Sequence, residues 1–220
     1  MRTLNPSGIL NAFLLVYAGL FPIINPIGDA PIFLGLTRHC SEDERNSLAL
    51  KVTINSFFLL LGSTLVGSYV LEFFGITLPV VRIAGGLVVA ATGWNLLQAD
   101  PDGDEEQTAH KPKHPTTAFY PLTMPITVGP GSIAVAITLG SQRPRVADLT
   151  ELAILGAAAF AGIVAITVTI FLCYRFAETT IGVLGQIGTD VLVRLSAFIL
   201  FCIGIEIIWN GYSSLMHVAG

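Results

Sequence analysis

Two carboxylates stand in stretches of chain that are otherwise apolar: Asp29, within Asn25-Pro26-Ile27-Gly28-Asp29-Ala30-Pro31, and Glu206, within Ile203-Gly204-Ile205-Glu206-Ile207-Ile208. An ionisable group in a hydrophobic segment is expensive to keep, and cation binding or proton coupling is the usual reason for it. Asp29 suits an ammonium group or a coupling proton, and equally suits a helix start, where acidic side chains are common. Glu206 suits proton coupling or cation binding, or a neutral acid bonded to a neighbouring helix. Gly129-Pro130-Gly131-Ser132 offers the complementary chemistry. Glycine lets a ligand approach the backbone closely, and free N–H groups with the helix dipole favour an anion such as a carboxylate. Asn25, Thr127 and Asn55 are uncharged candidates that both donate and accept. The expected substrate site is thus Asn25, Pro26, Gly28, Asp29, Thr127, Gly129, Gly131 and Ser132, with Asp29 and Glu206 as coupling residues.

The segments carrying these groups are related. Residues 21–31 recur at 120–130, with Pro22, Pro26 and Pro31 matched by Pro121, Pro125 and Pro130. A proline inside a helix removes a hydrogen bond and clashes with the carbonyl four residues back, at about 3 kcal/mol or more. Six of them in two apolar segments predict two broken helices. Pro22 and Pro26 would end a first half-helix and Pro31 and Pro130 would open a second one. The residues between, 25–30 and 124–129, would be unwound backbone, tolerated at membrane depth only where it is buried in protein or lines a wet cavity.

Of the 220 residues, 53% are apolar and 12% charged, a composition that excludes an ordinary soluble domain. The expected fold is all-α and integral to the membrane, with spans at 9–36, 52–74, 80–97, 118–139, 152–174 and 191–215. A single helix over 9–36 would be roughly 42 Å long against a hydrocarbon core of roughly 30 Å, an excess that a break absorbs. The repeat extends further, since Val81-Arg82-Ile83 opens the third span and Val193-Arg194-Leu195 the sixth, and Trp94-Asn95 and Trp209-Asn210 close them. Residues 1–98 and 118–220 then form two three-helix repeats joined by a polar linker at 99–117. Three crossings being odd, the second repeat enters the membrane inverted, as in many secondary transporters that rock around a midplane site.

Loops one, three and five hold Arg38, Arg45, Lys51, Lys111, Lys113, Arg175 and Arg194, against Arg2, Arg82, Arg143 and Arg145 elsewhere. The bias of positive charge toward the cytoplasm places both termini outside it. Arg82 and Arg194, near span ends, are expected to snorkel to headgroups, and Trp94, Tyr174 and Trp209 to form interfacial belts. Cys40, Cys173 and Cys202 are scattered, with no disulfide framework or metal knuckle. Pro112 and Pro115 prevent a helix that would put His110 and His114 on one face. No metal site, cofactor or nucleic-acid partner is implied. No serine or cysteine nucleophile has a base nearby in sequence, which argues against an enzyme. A bundle of six spans is small enough for homo-oligomers to form.

Asn25-Pro26-Ile27-Gly28 with Pro31-Ile32-Phe33-Leu34, Arg82-Ile83-Ala84-Gly85-Gly86, Met124-Pro125 with Gly129-Pro130-Gly131-Ser132-Ile133-Ala134, and Asn210-Gly211 together resemble the MarC family of inner-membrane proteins. That resemblance implies a multi-pass protein of the cell inner membrane. The family is also classed as neutral amino acid transporters, with glycine and alanine as proposed substrates. The proline and glycine residues of the two breaks are its signature, and the wider lysine-exporter-like superfamily implies export. Residues and resemblance together give a secondary transporter of small neutral amino acids, coupled to a proton or sodium. The alternative is a cation or metal-ion carrier using Asp29 and Glu206.

Overall fold

Pro26 disfavours the α conformation at the residue before it, and the chain changes direction there. In a computed structural model, which describes residues 6–98, 117–141 and 149–218, Asn25 takes the left-handed conformation (φ 48, ψ 52) between helices α1 (Pro6–Ile24) and α2 (Pro26–Leu36). Asparagine is among the few residues other than glycine that visit this region routinely. The two helices meet at a 42° bend. The break is narrower than expected: Pro26, not Pro31, is the first helical residue, Pro31 lies inside α2, and residues 26–30 are helical rather than unwound.

Helix α3 (Glu42–Phe73) begins ten residues before the expected span. Ser41 and Glu44 form a reciprocal capping box there, Glu44 N–H donating to Ser41 and Ser41 N–H donating to the Glu44 carboxylate. At 32 residues α3 is about 48 Å long, longer than the hydrocarbon core. Helix α4 (Leu78–Gln98) follows. The polar linker falls outside the described residues except for Thr117.

The second half opens with a π-helical segment, Leu122–Thr127, in which Met124 is extended (φ −120, ψ 125). The Tyr120–Pro121 and Met124–Pro125 peptide bonds are cis. Helix α5 (Pro130–Ser141) starts on its proline as the sequence predicts. At 12 residues it rises about 18 Å and does not by itself cross a roughly 30 Å core. Helix α6 (Leu149–Arg175) is continuous, and α7 (Ala177–Val218) is interrupted at Gly185 (φ 68, ψ 176). Among the described residues four helices are long and apolar enough to span, or five with the bent pair α1–α2. The six expected crossings reduce to that number because residues 118–139 are not one helix.

Most of the helix packing joins one half of the chain to the other. Helix α3 lies against α5 and α6, α6 against α1 and α2, α4 against α5 and α7, and α7 also against α2. The core gathers Leu20, Ile24, Phe33, Leu60, Leu122, Val128, Ile166 and Tyr174 around the two breaks. Large apolar side chains such as Phe58, Phe73, Leu195 and Phe198 face outward, as the surface of a membrane protein requires. Arg45, at the start of α3, pairs with Glu178 at the start of α7, which puts loops one and five at the same end of the bundle.

Candidate functional site

The matched prolines do different work in the two copies. At the first break Asn25 Oδ1 accepts from the Gly28 N–H at 3.3 Å and caps α2. A Cβ at position 28 would overlap the Asn25 amide, so Gly28 exists to admit that cap. Lacking N–H groups, Pro22, Pro26 and Pro31 leave the carbonyls of Ala18, Pro22 and Ile27 without their helical donors. Asp29, one turn into α2, is 8% exposed, and its Oδ2 is buried without a hydrogen-bond partner. Capping falls to Asn25, so the acidic side chain is not needed for it.

At the second break threonine hydroxyls add to the backbone bonds, the Ala118 carbonyl also accepting from the Thr123 N–H at 3.0 Å. Thr123 Oγ1 donates to the Ala118 carbonyl at 2.6 Å and Thr127 Oγ1 to the Leu122 carbonyl at 2.7 Å. Each hydroxyl has one proton, so each then accepts from another helix. Asn55 Nδ2 of α3 donates to Thr123 at 3.4 Å, and the Tyr174 hydroxyl of α6 donates to Thr127 at 2.7 Å. Tyr174 is 1% exposed, stacks on Phe33 of α2 with centroids 4.4 Å apart, and lies within electrostatic reach of Asp29. It joins the two breaks.

Several expected roles are corrected here. Tyr174 is no belt aromatic, because its ring and hydroxyl are both buried; Trp94 and Trp209 are exposed. Glu206 does not meet Asp29. It lies on an exposed side of α7 and accepts from Asn210 Nδ2 at 3.1 Å. Arg194 is exposed, whereas Arg82 is half-buried and donates to Ser214 at 3.3 Å. Gly131 and Ser132 are buried, and a Cβ on Gly131 would overlap the Val89 side chain of α4. A bulky residue at 131 would therefore displace α4 as well as fill any anion site. Pro26 is buried at the first break, and Gly129 precedes α5 with its carbonyl accepting from Ile133 N–H at 3.1 Å. The structure thus brings Asn25, Gly28, Asp29 and Thr127 to one centre and leaves Glu206 apart. The sequence reading missed Thr123 and Tyr174; the pairing of a threonine with each of Pro121 and Pro125 was the available signal.

Tyr174→Phe keeps the stack and removes the donor to Thr127. It should cost about 1 kcal/mol, and a double-mutant cycle with Thr127→Val should return a coupling of similar size. Additive losses on thermal unfolding in detergent would mean that the bond contributes nothing.

Apolar outward surfaces, spanning helices and a buried polar centre at two helix breaks define an integral membrane protein. A model of the MarC family of integral membrane proteins matches residues 10–216, and the chain belongs to that family. A membrane protein of Pyrococcus abyssi in the UPF0056 group is 31% identical over 207 residues, covering 92% of this chain and 95% of its own. The inner membrane protein MarC of Salmonella typhimurium is 32% identical over 199 residues (87% and 90%). The membrane protein YvbG of Bacillus subtilis is 30% identical over 209 residues (92% and 95%). No solved structure matches the chain.

Proposed function

We propose that the protein is a secondary transporter of small neutral amino acids of the glycine and alanine class, in the inner membrane, with the substrate ammonium held at Asp29. The observation that carries this reading is the buried Asp29 carboxylate, whose Oδ2 lacks a partner where the first break meets Thr127 and Tyr174 of the second half. The carbonyls that the prolines of the same bent segment free would accept further N–H donors. The substrate carboxylate would bind the α5 N-terminus at Gly131 and Ser132, which α4 covers in this conformation. Such a protein moves its substrate without making or breaking covalent bonds.

The inverted arrangement of two three-helix repeats has support in the packing. Helix α3 meets α5 as α6 meets α2, and α4 meets α5 as α7 meets α2, the exchange of partners that a pseudo-two-fold axis in the membrane plane produces. The segment at 117–141 then supplies the sixth crossing, and both termini lie outside the cytoplasm. Rocking of residues 1–98 against 118–220 would break the α4–α7 and α1–α6 contacts together, so the movement is placed at the breaks, in α2 and residues 117–129.

Purified protein in liposomes should take up labelled glycine or alanine under a proton or sodium gradient. Folded protein that moves neither would sink the proposal. The buried, unpartnered Asp29 carboxylate also favours a second reading, a carrier of a bare cation with no role for Glu206. Ion uptake by the same vesicles without amino acid would select it.

A further inference from the structure

Between α4, α5 and α7 lies a cavity of about 560 Å³, within the usual size range of small-molecule sites. Its lining includes Arg82, Thr138, Asn210, Ser213 and Ser214. It involves none of the residues at the two breaks. It sits where α4 begins and where α5 and α7 end, the opposite end of the bundle from the Arg45–Glu178 pair.

Arg82 is the group that needs explaining. A guanidinium in a spanning helix is costly, and one that does not reach headgroups faces a cavity or pairs with a carboxylate. Among the described residues Arg82 has no ion-pair partner; its bond is to the neutral Ser214 hydroxyl at 3.3 Å. Glu206 stands one turn from Asn210 and is engaged by that amide, beyond ion-pairing distance of Arg82. The Ser214 hydroxyl proton is committed to the Asn210 carbonyl at 2.7 Å, so Ser214 accepts from Arg82 and most of the guanidinium's donors remain free. On the facing helix, Thr138 Oγ1 is buried with no partner. Arg82 and Thr138 line the same space. Arg194, its counterpart in the repeat, is exposed and is not among the residues that line this cavity.

We infer that this cavity is an oxyanion-binding site, in which Arg82 and Thr138 hold a carboxylate or phosphate group at the non-cytoplasmic mouth of the protein. The planar guanidinium fork matches both groups bidentately. The source of the oxyanion is a free solute or the headgroup of an anionic lipid, and the two can be told apart. The inference does not rest on transport, since its test reads binding alone.

Delipidated protein in nonionic detergent is melted in sodium acetate and in inorganic phosphate, each against sodium chloride at equal ionic strength. In parallel it is melted in phosphatidylcholine nanodiscs with and without phosphatidylglycerol. A saturable rise with acetate or phosphate, roughly 3–6 °C at ten times Kd, assigns a solute site. A rise with phosphatidylglycerol alone assigns a headgroup site. Either rise should vanish in Arg82→Gln, persist in part in Arg82→Lys and remain whole in Arg194→Gln. A purely structural Arg82 would lower every melting point and leave the anion-dependent increment intact. Should Arg82→Gln fail to fold, Thr138→Val must weaken the apparent affinity several-fold. No rise in the wild type, or an equal rise in the variants, overturns the assignment.

Discussion

Asp29→Asn lowers the affinity of saturable alanine uptake in proteoliposomes tenfold to hundredfold and leaves the protein as stable as the wild type, or more so. The two halves of this expectation come from the same atom. Oδ2 is buried without a hydrogen-bond partner, and an unsatisfied buried polar group costs about 1–3 kcal/mol, more if charged. Asparagine has nearly the same shape and no charge to bury, so the substitution relieves the part of that cost that comes from charge. For the substrate, loss of a charge-assisted bond to its ammonium costs about 1.5–3 kcal/mol, a tenfold to hundredfold drop in affinity. Function falls while stability holds, the trade-off seen where a strained site is kept for its activity. A helix-start role for Asp29 predicts the reverse. The first turn of α2 would lose about 0.3–1 kcal/mol of dipole stabilisation, and uptake would continue. Unchanged uptake by Asp29→Asn, with wild-type folding shown by gel filtration, would falsify the transport reading.

The proline-matched blocks made the breaks legible in the sequence, and the apolar runs marked the four long helices and the bent pair α1–α2 but not the form of 118–139. What each proline does was not. Pro26 and Pro125 occupy equivalent positions, yet α2 begins on Pro26 while α5 begins five residues after Pro125. The difference lies in Asn25, whose left-handed conformation and cap on Gly28 let the first helix restart at once. Methionine at the matching position has no such option, and the second break spreads into a π-helical segment stitched by Thr123 and Thr127. Burial was the other hidden variable. Tyr174 ends an apolar run just as a belt aromatic would, and only its contacts with Phe33 and Thr127 show that it faces inward. Glu206 and Asp29 look alike in sequence because hydropathy reports neighbours along the chain, not which face of a helix a residue occupies. The start of α3 was legible and overlooked: Ser41 and Glu44 have the spacing of a capping box.

Gly93→Ala, the addition of one methyl group, should destabilise the bundle severely. Its Cβ would stand 2.5 Å from the Phe201 nitrogen, 2.8 Å from the Ala197 carbonyl oxygen and 2.9 Å from the Phe201 Cα. All three are backbone atoms of α7, so no side chain can rotate out of the way. Gly86 meets the Gly204 carbonyl in the same manner, where a Cβ would come to 2.8 Å. The α4–α7 pair is therefore held at near-contact of its backbones along a seam of small residues. In a bilayer no hydrophobic force drives helices together, and association rests on van der Waals packing that such close approach makes possible. Pushing the helices apart forfeits contacts along the whole seam, so the loss should reach or exceed about 3 kcal/mol, the upper end for overpacking. Gly62→Ala supplies the comparison. That glycine is also mid-helix but has nothing within 4 Å of its Cβ position, and alanine there should stabilise α3 by roughly 0.5–1 kcal/mol. The two substitutions are chemically identical and opposite in sign, so melting curves in one detergent decide the matter. Equal shifts in both would mean that α4 and α7 are not packed on their glycines, and the wall that closes the Arg82 cavity would have to be drawn elsewhere.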